Sequence, residues 1–155
     1  MDNKAKISAI VLRLLMGWYM FFDGIPKVLD PNFSATGFLL NAKTFPGFYA
    51  WFASPMNAWW VGPFNEWAIT LIGVALLLGV AVRLACWAGA AMMIIYYFPH
   101  YDLPAVTHGY VVEEHIIYAA IFAFIALFVP SQEFGLAGRL RKSFLGQVPV
   151  LKNLI

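Results

Sequence analysis

The side chains in this sequence that could do chemistry are few and are set among apolar neighbours. Glu113, Glu114 and His115 stand together, and Tyr118 follows Glu114 at i+4. His100 and His108 lie just upstream, Asp23 and Lys27 are paired at i,i+4, and Glu66 stands alone in an apolar run. An imidazole beside carboxylates is suited to moving protons or holding a carbonyl oxygen, because its charge changes near neutral pH. A metal is not expected: His100, His108, His115 and Glu114 would be ligands enough, but their spacing fits no compact motif such as His-Glu-x-x-His. Cys86 is the single cysteine, which excludes an internal disulfide and any multi-cysteine zinc or iron–sulfur site.

The elements that must position these groups follow from composition. Of 155 residues 62% are hydrophobic and only 12% charged, against about 25% charged in a soluble domain. A water-soluble domain is therefore excluded. A net charge of +2 is too small and too dispersed for a nucleic-acid footprint. Windows long and apolar enough to span a bilayer cover residues 7–28, 64–82, 84–101 and 112–130. The first follows Lys4 and Lys6 but lacks a small-x-small cleavage pattern, so it reads as retained. The expected fold is all-α, an integral membrane four-helix bundle forming a single domain over residues 1–155.

Between the first two windows lies a long connection rich in aromatic residues and broken by Pro31, Pro46, Pro55 and Pro63. Trp and Tyr favour the headgroup level, so residues 45–60 are expected as one or two short interfacial helices. They read first as a lipid anchor and in the alternative as a lid over a site between the helices. The tail, residues 133–155, alternates apolar residues with Arg139, Arg141, Lys142 and Lys152, the pattern of a basic interfacial segment resting on an anionic leaflet.

Loop charge orients the expected bundle. Lys4, Lys6, Arg83 and the basic tail share one side, which places both termini in the cytoplasm. Arg13 and Arg83 then belong to the cytoplasmic half as structural polar residues, snorkelling to headgroups or pairing with Glu133. Asp23, Lys27, Glu66, His100, His108, Glu113, Glu114 and His115 gather in the outer half. Along the first helix Arg13, Gly17, Met20, Gly24 and Lys27 form one stripe whose glycines admit a neighbouring helix, and Pro26 is expected to kink or end that helix near Gly24.

Three motifs in order resemble the DoxX/DoxD family: Arg13-x3-Gly17-x6-Gly24-x2-Lys27, Ile72-Gly73 through Gly79-x3-Arg83-Leu84, and Glu113-Glu114-His115-Ile116-Ile117-Tyr118-Ala119. The Gly37-Phe38-Leu39-Leu40 stretch and the Trp-rich segment are similar to its DoxD-like branch. The acid often found in the second helix of the family has Glu66 as its nearest counterpart. The resemblance implies a multi-pass protein of a bacterial or archaeal cytoplasmic membrane, a subunit of a quinone-linked oxidoreductase of the thiosulfate:quinone type.

On that reading His115, Glu114 and Asp23 are the catalytic candidates, and Lys27, Glu66, His100, His108 and Tyr118 would contact substrate or quinone. Quinone enters as substrate. No haem, flavin or iron–sulfur motif is recognisable, so electrons would come from a bound reductant or a partner. The alternative is a non-catalytic membrane anchor or assembly subunit. Partners expected beyond the bilayer are other membrane or redox subunits or further copies of the chain; nucleic acid is not among them. The orientation is tested by a single cysteine placed at position 43, which should react with a membrane-impermeant thiol reagent from outside. Reaction only after the cytoplasmic face is opened would reverse the assignment.

Overall fold

The apolar run that follows Lys4 and Lys6 forms α1 (Asn3–Leu29), in a computed structural model that describes residues 3–107 and 109–128. The helix does not break near Gly24. Pro26 sits inside it on an exposed side, and the amide of Asp30 donates to the Pro26 carbonyl at 3.1 Å, so the last turn closes past the missing donor. A proline withdraws one hydrogen bond, and here the surrounding turns absorb that loss.

The connection contains two short helices, α2 (Thr36–Leu40) and α3 (Pro46–Phe52). The next long helix, α4 (Pro55–Leu78), starts well before the expected window, so Trp59 and Trp60 belong to its first turns and not to a separate short helix. Ser54, in extended conformation, and Pro55 in the first turn launch it, as the fixed proline φ favours. Gly79 ends it at φ 69°, and α5 (Val82–His100) follows. A two-residue antiparallel hairpin departs from the all-α expectation: β1 (Ala105–Val106) pairs with β2 (Gly109–Tyr110). Last comes α6 (Glu114–Phe128), inside the expected 112–130 window and ending where the described residues end. The tail at 133–155 lies outside the described residues.

The molecule is thus mostly helical, and α1, α4 and α5 are long and apolar enough to cross a membrane; α6 is shorter. α1 and α4 approach through glycines. A Cβ on Gly17 would lie 2.9 Å from Leu76 Cβ, one on Gly24 would lie 2.6 Å from the Thr70 backbone nitrogen, and one on Gly73 would run into the Phe21 nitrogen. Small residues let backbones meet where apolar transfer from lipid supplies no driving force. Gly89 on α5 likewise receives the ring of Phe122 from α6, which is wholly buried.

A proline also fixes how the short helices dock. Pro99 in α5 has no N–H, so the carbonyl of Ile95, one turn earlier, lacks its helical donor. The hydroxyl of Tyr49 on α3 donates to that carbonyl at 2.7 Å. Beside it the amides of Lys43 and Thr44 donate to the carbonyls of Pro99 and Phe98, at 3.0 and 3.3 Å. The phenol of Tyr49 is buried, and burial pushes its ionisation upward, so it remains a donor. Leu39, Ala42, Tyr49 and Ala53 form a small core beneath this contact.

Replacing Tyr49 by Phe should cost about 1–3 kcal/mol, the penalty of leaving a buried carbonyl unpaired. In a Pro99→Ala background, where the regained backbone N–H supplies the helical donor, the same change should cost markedly less. The coupling is read from thermal unfolding of the four proteins of a double-mutant cycle. Equal costs in both backgrounds would refute the docking account.

Candidate functional site

α1 and α5 contribute to the site through residues about one turn apart, and α4 and α6 through one residue and an adjacent pair. α1 brings Tyr19, Asp23 and Lys27, α5 brings Met93, Tyr96 and His100, α4 brings Asn65, and α6 begins with Glu114 and His115. Phe33, Ser34, Ala35 and Phe38 close the space from the connection, leaving a cavity of about 370 Å³. That volume falls within the roughly 300–1,000 Å³ of small-molecule sites.

The polar groups around it are held by specific partners. Lys27 Nζ lies 2.5 Å from Asp23 Oδ2, the i,i+4 pair on a continuous helix. Tyr96 donates its hydroxyl to the amide oxygen of Asn65. The rings of His100 and His115 lie with centroids 4.9 Å apart, and Phe38 packs 5.1 Å from His100. His100 Nδ1 lies 2.8 Å from the carbonyl of Tyr96. A carbonyl only accepts, so this nitrogen carries a proton, and in the neutral ring Nε2 keeps the lone pair.

Glu113 imposes the same order on His115. It precedes α6, is buried, and accepts the backbone N–H of His115 at 3.0 Å, which caps the helix. Its carboxylate also lies 2.8 Å from His115 Nδ1 and accepts the hydroxyl of Tyr101 at 2.8 Å. An imidazole whose Nδ1–H is held by a carboxylate has a fixed tautomer and ring orientation, with Nε2 as the basic atom. Burial alone would raise the Glu113 carboxyl, but the hydrogen bonds from His115 and Tyr101 outweigh it and hold it below the ordinary glutamate range. Val111, two residues earlier, has φ 61°, a left-handed backbone unfavourable for a β-branched residue. Tyr97 donates its hydroxyl to the Val111 carbonyl at 2.6 Å, and the Val111 amide donates to Pro104, so strain is held in place beside the carboxylate.

Of the residues singled out from sequence, Asp23, Lys27, His100, Glu114 and His115 share the cavity. Glu66 and Tyr118 are not on its wall. Glu66 accepts the Thr70 hydroxyl on its backbone carbonyl while neighbouring Asn65 takes the wall position, and Tyr118 packs 4.9 Å from Tyr19, which does line the cavity. His108 lies outside the described residues. At the other end Arg83 Nε donates to the Ala126 carbonyl of α6 at 3.3 Å. Arg13 is buried, with Nε and Nη1 unpaired among the described residues, and Glu133 is not one of them.

Tyr19, Asn65, Tyr96 and the clamping role of Glu113 were not anticipated. Their signal was available in part, since Tyr19 with Asp23 and Tyr96 with His100 are i,i+4 pairs on one helical face. Ligand atoms of Glu113, Glu114 and His115 lie within 4.8 Å of one another. In this arrangement Glu113 and His115 Nδ1 satisfy each other, so a cation would have to displace hydrogen bonds already made.

Three membrane-length helices meeting at a polar, histidine-bearing cavity define a helical membrane protein with a chemically equipped pocket. The chain belongs to the DoxX family, whose model matches residues 8–102, from α1 through α5. The match takes in Asp23, Lys27, Asn65, Tyr96 and His100 and stops before the Glu113–His115 group. Neither the curated proteins nor the solved structures yield a match to the chain.

Because the Glu113 carboxyl is lowered on folding, its stabilisation is complete above the ordinary glutamate range and is lost as pH falls through the lowered value. Glu113→Gln should lose about 1.5–3 kcal/mol at neutral pH, the worth of hydrogen bonds to a charged acceptor. It should also flatten the acid limb of a plot of melting temperature against pH. Parallel curves for the two proteins would contradict the clamp.

Proposed function

We propose that this chain is the membrane subunit of a quinone-linked oxidoreductase complex, with its reactive site at the outer face. On this reading the apolar window 112–130 is a fourth span, α1, α4, α5 and α6 form a four-helix bundle, and both termini are cytoplasmic. The observation that carries it is the pairing of His115 with Glu113, which leaves a basic Nε2 on a residue lining a cavity of ligand size. His100 and Glu114 stand on the same wall.

Quinone reduction consumes two electrons and two protons, and the cofactor-like ring carries the redox change while the protein orients it and handles protons. His115, when imidazolium, donates one proton from Nε2 toward a quinone oxygen, and its positive charge is stabilised by Glu113. Glu114 or Asp23 relays the second proton, Lys27 holding Asp23 in position across 2.5 Å. The electrons arrive from a reductant or a partner subunit, since the sequence carries no recognisable electron-transfer motif. Thiosulfate as that reductant rests on the family resemblance alone.

His115→Gln keeps the backbone N–H that Glu113 caps and removes the titrating ring. Turnover with a quinone acceptor should fall by about 10²- to 10⁴-fold, the range for a positioned acid or base. Melting temperature measured on the same preparation separates the alternatives. Unchanged turnover with a lowered melting temperature would reject the catalytic reading in favour of a non-catalytic anchor or assembly subunit.

A further inference from the structure

The polar cavity does not end at its polar wall. Ala35, Phe38, Asn65 and Tyr96 line it and also line a second cavity of about 200 Å³. The rest of that second lining is apolar or aromatic, including Leu39, Phe48, Phe52, Trp60, Phe64 and Met92. Tyr49 and Tyr96 border it too, but both hydroxyls are spent, on the Ile95 carbonyl and on Asn65. The connection between α1 and α4 supplies the roof through α2 and α3, and Phe38 stands edge-on to Tyr96 at 6.1 Å where the two cavities meet. A polar chamber carrying histidines and acids therefore shares a wall with an apolar, aromatic one.

We propose that the two cavities are one site for a chain-bearing amphiphile, its polar ring against His100, Glu114 and His115 and its apolar chain lodged past Phe38 and Tyr96 under α2 and α3. This rests on the quinone reading and deepens it by assigning the place in the fold where the apolar chain of such a substrate is held. A chain leaving lipid for an aromatic cavity exchanges one apolar medium for another, so the second cavity adds little hydrophobic driving force. What it adds is registration. A ring tethered by its chain cannot turn freely, and one edge is kept toward the imidazoles, the positioning on which proton transfer depends.

The test uses the full chain in lipid nanodiscs with two photoreactive probes, a decyl benzoquinone carrying a diazirine on its chain and palmitic acid carrying the same group. The quinone probe should attach to Phe48, Phe52 or Trp60, and unlabelled decyl benzoquinone at about ten times its Kd should reduce that labelling about tenfold. The palmitate probe should not label those positions competitively. Val61→Trp, which fills the second cavity, should abolish the labelling while binding of the chainless benzoquinone is retained. The wild-type map stands on its own if that variant does not fold.

Labelling by the quinone probe confined to outward residues such as Leu71 and Leu84 would overturn the tail chamber. The quinone reading would survive that result if the chainless benzoquinone still binds saturably and depends on His115. Equal, mutually competing labelling by palmitate would also overturn the proposal, because the chain site would then act without the ring site. If neither benzoquinone binds saturably, both the tail chamber and the quinone reading fall.

Discussion

A carbonyl left without its helical donor in apolar surroundings has to find another, and the Ile95 carbonyl finds the hydroxyl of Tyr49. Pro99 creates the vacancy, three hydroxyl and amide donors from the segment between α1 and α4 meet the end of α5, and the short helices are thereby held over the helix ends. Without that docking Phe38 and Ala35 would have no fixed place, and both cavities lose a wall. The position of the site therefore depends on a backbone hydrogen-bonding requirement, and its polar chemistry is added within that frame.

The same segment settles how an aromatic-rich connection divides its work. Phe45, Phe48 and Trp51 remain more than half exposed, as residues meeting a membrane interface would be, while Leu39, Ala42, Tyr49 and Ala53 are buried beneath them. One face of the element is exposed and the other is packed inward. Composition alone distinguishes the faces poorly, because both are apolar and only the docking contact decides which side turns inward.

What the sequence disclosed follows from which forces are local. Long apolar windows locate α1, α4, α5 and the start of α6, since hydropathy is a sum over neighbours. The start of α4 at Pro55 was hidden because Trp59 and Trp60 read as interfacial residues in any conformation. The close contact of Gly17 and Gly24 with α4 was legible, because only glycine removes the side chain that would hold helices apart. Charged site residues stand out against an apolar background, whereas Asn65, Tyr19 and Tyr96 are neutral and acquire meaning only when helices meet. Two adjacent acids likewise look equivalent in one dimension. Their helical positions separate them, Glu113 turning inward to become buried and Glu114 remaining exposed on the cavity wall.

That separation determines what the site can do. A carboxylate in direct contact with an imidazole fixes it, and a carboxylate free at the rim can exchange protons with it, but one group cannot serve both tasks at once. Glu113 is fully engaged by Tyr101, by the His115 amide and by the His115 ring. Asp23 is engaged by Lys27. Among the groups left with unspent capacity are Nε2 of His100, Nε2 of His115 and the Glu114 carboxylate, and all three residues line the same cavity. The structural partners therefore fix the two imidazoles, the Tyr96 carbonyl holding His100 and Glu113 holding His115, and both rings line the space a ligand would fill.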